Sequence, residues 1–189
     1  MEQLSIDKKK TALVVIDLQK GILAFPAAPN ASKDVVTNCA KIIKSFRSNH
    51  MPVFLVHVNS NEYTSLNPKA DFSMNPGTLP KDWAEFVPEL GKDKDDIIIT
   101  KHQWGAFHDT GLDMQLRRRK IDTIVLCGIA TSYGVESTAR DAYELGYHQV
   151  FPEDAMTSLN AEEHKSTINN IFPKMGLVRK TTDVLAALK

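Results

Sequence analysis

"TIVLCGIATSYGVESTARDA", residues 123–142, carries an apolar run into a helical pattern by way of a glycine. The run from Thr123 to Cys127 has little polar alternation, as expected of a strand covered on both faces. Gly128 ends it, and a helical spacing of apolar residues begins near Ser132. Such a turn sets the free backbone N–H groups of a helix start at the end of a buried strand, where anions and oxyanions are stabilised. The residue best placed to act from the first turn of that helix, Gly134, has no side chain. The stretch points to an α/β arrangement with a chemical station whose reactive group is missing.

The same alternation extends outward in both directions. Apolar runs occur at "TALVVID" (11–17), "PVFLVHV" (52–58), "DIIITK" (96–101), "DTIVLCG" (122–128), "HQVFPED" (148–154) and, weakly, "GLVRK" (176–180). Helical patterns lie between them over 32–49, 111–119, 132–145 and 161–171, with a last one over 182–188. A β-α-β-α order of unalternating strands implies a mostly parallel sheet between helix layers. Ser32 and Asn160 are expected N-caps, Asn160 with Glu163 as a capping box. The segment 59–95 carries Pro68, Pro76, Pro80 and Pro88 and reads as a binding loop or lid. With 189 residues and no break in composition, a single domain over 1–189 is expected.

Lys plus Arg and Asp plus Glu each total 23. That balance argues against nucleic acid or an anionic membrane as partner. The N-terminal "MEQLSIDKKK" has no apolar core of a signal peptide, so a soluble, cytoplasmic protein is expected. Cys39 and Cys127 lack metal or redox spacing and read as reduced thiols. The six His form no ligand pattern, so no metal and no cofactor is expected. "RRRK" at 117–120 fits the last turn of a helix, where cations complement the dipole.

In an open parallel sheet, chemistry gathers beyond the carboxyl ends of the strands. The first strand ends in Asp17, either a desolvated acid suited to proton transfer or a cap of the following loop. The third ends in Lys101, either a partner for Asp17 or a substrate anion, or a solvated strand exit. The fourth leads into the turn at Gly134. Cys127 lies inside its strand and reads as packing, while Thr131 and Ser132 read as helix caps. Phe25, Trp104, Phe107 and Tyr133 flank these positions and could wall a pocket or belong to the core.

At these residues the sequence resembles the isochorismatase-like hydrolases, or cysteine hydrolases, which include nicotinamidases and N-carbamoylsarcosine amidases. "ALVVIDLQKGI" matches the family's first-strand motif, "ITKHQWGAFHDTGLDMQLRRRKIDTIVLCG" its lysine motif and "GIATSYGVESTARDAYELGY" its nucleophile motif. The resemblance implies a Rossmann-like three-layer α/β/α fold with a six-stranded sheet ordered 3-2-1-4-5-6, and a homo-oligomer. Carried over, the Asp, Lys, Cys triad falls on Asp17, Lys101 and Gly134, with the cysteine absent. The family's non-proline cis peptide would fall at Ile129–Ala130, placing both residues beside the substrate. Isochorismatases of siderophore pathways resemble the chain here because they too lack the cysteine; in them the Asp protonates an enol-ether carbon and water completes the hydrolysis. The resemblance therefore implies a hydrolase without a covalent nucleophile, acting on a small-molecule substrate that is anionic or an enol ether, Asp17 acting as general acid and Lys101 as its electrostatic partner. Other readings of the same residues are a catalytically silent binding or scaffold protein of this fold, and an amidase using another residue.

Overall fold

The computed structural model describes residues 3–59, 69–71 and 78–189. Strand β1, Thr11–Ile16, is buried at every position and lies mid-sheet. It pairs in parallel with β2, Val53–Val58, on one side and with β4, Thr123–Ile129, on the other. Strand β3, Ile97–Lys101, pairs outside β2, while β5, His148–Pro152, and β7, Leu177–Arg179, extend the sheet beyond β4. The order is β3-β2-β1-β4-β5-β7. It is the expected order with one strand inserted: β6, Met156–Thr157, two residues long, pairs with β4 at Gly128 and Ile129. A pair of residues carries no periodicity, so this strand left no mark in the sequence pattern.

Period-two alternation along β1 assigns the two helix layers. Leu13 and Val15 face α2, Ser32–Ser48, and α6, Thr181–Ala187, packing with Cys39, Ile42, Phe46, Val184 and Leu188. Ala12, Val14 and Ile16 face the opposite layer, which holds α3, Leu112–Arg118, and α4, Glu136–Glu144. Helix α1, Lys20–Leu23, is a single turn after β1, and α5, Ala161–Ser166, precedes the last strand. Gly128, at a φ of 119°, lies so close to β1 that a side chain there would collide with the Ile16 carbonyl.

Several local expectations are corrected. The N-cap of α2 is Ala31, and Ser32 is the first helical residue, because the extended backbone ends one position earlier. Asn160 does cap α5, accepting from the Glu162 N–H at 2.8 Å, but Glu163 does not complete the box. Its carboxylate reaches Ser132 instead. The patterns over 132–145 and 161–171 are not uniform helices; each includes a wide π turn, Thr131–Val135 before α4 and Thr167–Ile171 after α5. In the binding loop expected over 59–95, residues 60–68 and 72–77 lie outside the described residues. The described remainder folds back on the exit of β1: Trp83 covers Gly21, where any Cβ would overlap its ring, and Gln19 Nε2 donates to the Trp83 and Val58 carbonyls.

Candidate active site

Asp17 follows the last residue of β1 in the left-handed region, at a φ of 52°. Asp tolerates this conformation better than most residues, and its N–H stays bonded to the Val56 carbonyl at 2.9 Å as the chain leaves the sheet. Lys101 ends β3, two strands away, or about 10 Å at ordinary strand spacing. Its long stem closes that gap, and Nζ lies 2.8 Å from Asp17 Oδ2 and donates to the Gln103 carbonyl at 3.0 Å. Asp17 is 4% and Lys101 2% exposed, so the pair is desolvated. Burial pushes the Asp17 carboxyl above its usual range, opposed by the Lys101 ammonium and more weakly by His57. The second carboxyl oxygen, Oδ1, is buried with no hydrogen-bond partner among the described residues.

The turn after β4 closes the site from the other side of β1. The Ile129–Ala130 peptide is cis, and the Ala130 carbonyl then accepts from both the Tyr133 and the Val135 N–H at 3.1 Å. That wide turn carries Gly134 to the acid and its lysine. A Cβ on Gly134 would stand 3.0 Å from Ile16 Cγ2, 3.1 Å from Asp17 Oδ2 and 3.5 Å from Lys101 Nζ. The three positions singled out in the sequence therefore meet at one point, next to the reversal of strand order between β1 and β4. Thr138 fixes the arrangement: its hydroxyl donates to the Gly134 carbonyl at 2.6 Å and accepts from the Ala106 N–H at 3.1 Å, tying the lysine loop to α4.

The flanking residues divide. Trp104, 60% exposed, meets Tyr133 edge-on with ring centroids 4.9 Å apart, so both stand at the open side of the turn. Phe25 is half-buried. Phe107 is 8% exposed and packs with Tyr147 in the layer of α3 and α4, the core option of its two readings. Thr131 and Ser132 make no capping bond; Thr131 Oγ1 meets His164 Nδ1 at 2.9 Å, and Ser132 Oγ donates to Glu163 at 2.8 Å. Cys127 is fully buried, as packing requires, and its Sγ lies 3.5 Å from that of Cys39, a pairing no spacing indicated. Arg117 and Arg119 are bound near the end of α3, to the Leu145 and Gln115 carbonyls. Among the described residues no three His, Cys, Asp or Glu side chains gather as around a metal ion.

A parallel sheet in this order, with a buried acid and lysine facing a strand-to-helix turn, defines an α/β protein whose candidate site lies at the switch point of its sheet. Residues 11–183 match the isochorismatase domain family. The chain is 49% identical over 192 residues to the isochorismatase family protein YwoC of Bacillus subtilis, covering 100% of both. It is 48% identical over 187 residues to YecD of Escherichia coli O157:H7, covering 98% of this chain and 100% of that one. The structure of an isochorismatase family protein from Burkholderia thailandensis superposes with a TM-score of 0.93 at 43% identity, covering 99% of each chain. The chain belongs to the isochorismatase family of hydrolases. No helix among the described residues is long and apolar enough to cross a membrane.

Proposed function

We propose that this protein hydrolyses a small enol ether without a covalent intermediate, Asp17 serving as general acid and Lys101 as its electrostatic partner. The observation that carries the reading is the position of Gly134: the residue facing both members of the pair offers no nucleophile. Oδ2 of Asp17 holds the lysine, which leaves the unpartnered Oδ1 as the oxygen that keeps a proton and gives it up. Delivered to the alkene carbon, that proton leaves an oxocarbenium ion, which Asp17, now a carboxylate, stabilises. Water adds to the cationic carbon and passes a proton back to the Asp17 carboxylate, and the hemiketal breaks into a ketone and an alcohol. Gly134 keeps the side of the acid that faces the turn free of a side chain, where even a Cβ would be tight against Ile16 and Asp17. Phe25, Trp104 and Tyr133 would line the approach, with Ile129 and Ala130 at the turn, in one domain acting as a homo-oligomer.

A covalent amidase route finds no support in the neighbouring side chains. The Thr131 hydroxyl is fully buried against His164, the Ser132 hydroxyl is taken by Glu163, and Cys127 is enclosed in the core. The test is a panel of purified substrates comprising isochorismate, simple vinyl ethers, nicotinamide and small amides. Turnover of enol ethers and not of amides is expected; the reverse selectivity would overturn the reading. Pretreatment with iodoacetamide is expected to leave that turnover within about twofold, because enclosed thiols react slowly. Burial holds the Cys39 thiol well above its usual range, which reduces its reactivity further. Activity lost in step with alkylation of Cys127, with the circular dichroism unchanged, would put a thiol back into the mechanism.

A further inference from the structure

We propose that Glu163 is a positioning residue for the turn that faces Asp17, holding it through Ser132. The inference rests on the functional reading of that turn and adds to it a residue from a different element. Within the turn the Ala130 carbonyl takes the N–H groups of Tyr133 and Val135, the Glu136 N–H bonds the Thr131 and Tyr133 carbonyls, and Thr138 holds the Gly134 carbonyl, but no side chain caps its start. Its first two residues are held from α5. Two successive residues there, Glu163 and His164, bind two successive residues of the turn, Ser132 at 2.8 Å and Thr131 at 2.9 Å. The Ser158 hydroxyl lies 2.6 Å from that of Ser132 and 3.3 Å from the same carboxylate oxygen, so the hydrogen bonds run from Ser158 through Ser132 to Glu163. Hydroxyl bonds ending on a carboxylate are charge-assisted and short, and they set the orientation of the turn's backbone.

The cluster also reaches the other wall of the site. Ser158 exchanges backbone hydrogen bonds with Ala28 at 2.9 and 3.0 Å, joining the loop that follows Phe25 to the serine pair. The Glu163 carboxylate takes up this task in place of the Asn160 N–H that a capping box would give it. The arrangement separates two kinds of influence. As a nearby negative charge, Glu163 disfavours an anion at the turn; as a clamp, it aims the turn's amides so that they favour one. Removing it therefore gives opposite results according to which influence dominates.

The experiment uses the full chain carrying Gly134→Cys, a substitution that requires neighbours to give by a few tenths of an ångström, with iodoacetamide as the probe. The rate of labelling against pH is read by mass spectrometry on the peptide containing position 134, so Cys39 and Cys127 do not contribute. The introduced thiol is expected to titrate below the free value of about 8.5, and adding Glu163→Ala is expected to raise it by about one unit, a tenfold loss of thiolate. Glu163→Gln, which keeps an acceptor oxygen, stays near the starting value. Ser132→Ala releases the turn without touching α5 and gives the same rise, which decides the matter if Glu163→Ala does not fold. An unchanged or lowered value in these release variants, from a low starting point, overturns the positioning role alone. A starting value near 8.5 overturns that role and the functional reading of the turn together.

Discussion

Asp17→Asn is expected to lower kcat on an enol ether by about 10²–10⁴-fold, with KM changed only a few-fold, since proton delivery is made in the transition state and not in substrate binding. The substitution keeps the shape and the contact with Lys101 while removing the proton donor. The pH dependence has a definite sign. Burial raises the Asp17 carboxyl, so the protonated, active form persists above the ordinary carboxylate range, and kcat falls as pH rises through the raised value. Its contribution to stability follows the same direction: present in full below the unfolded-state pKa of about 3.9, it is lost as pH rises through the folded-state value. The acid titrates together with its lysine, so the profile reports the pair. Steady-state kinetics from pH 4 to 9 on wild type and variant check this; wild-type kcat in Asp17→Asn would remove general-acid catalysis.

Lys101→Met is expected to destabilise the protein by about 3–5 kcal/mol at neutral pH, because it leaves the buried Asp17 charge without its partner. Methionine fills the stem's volume, so the loss measures the missing ammonium and not a cavity. Both side chains of the pair are at most 6% exposed, and water does not replace the contact. Asp17 meets the loss by binding a proton more tightly, and the deficit therefore shrinks as pH falls. Urea denaturation at pH 7 and pH 5 reads the difference. Equal losses at the two pH values would show that the stem, not the charge, is what the fold needs.

The strands were legible because burial on both faces writes itself as unbroken apolar runs, and Asp17 and Lys101 stood out as the charges that end two of them. The meeting of Gly134 with that pair was indicated by the shared edge formed by the carboxyl ends of parallel strands and by the family resemblance, since no local pattern states which residues face each other across a sheet. Glu163 shows why the rest was hidden. Its spacing from Asn160 satisfies the rule for a capping box, yet the partner that wins is Ser132, brought close by the tertiary fold. The same holds for Cys39 and Cys127, which meet only because α2 crosses over β4. Phe107 and Trp104 are alike in the sequence, and only packing sends one into the core and the other to the surface. The wide turns escaped because each is a single turn of five residues, too short to show a period other than that of the α-helix it adjoins.

Protonation of carbon by Asp17 is the central claim, and the position of solvent oxygen in the products tests it most directly. Hydrolysis of isochorismate is run in H₂¹⁸O, and the alcohol, whose oxygen does not exchange with water, is analysed by mass spectrometry. Protonation of the alkene carbon sends water to the former enol-ether carbon, so the account predicts an alcohol that keeps its own oxygen and carries no ¹⁸O. Alcohol labelled with ¹⁸O would place the attacking water on the other side of the ether oxygen and contradict it.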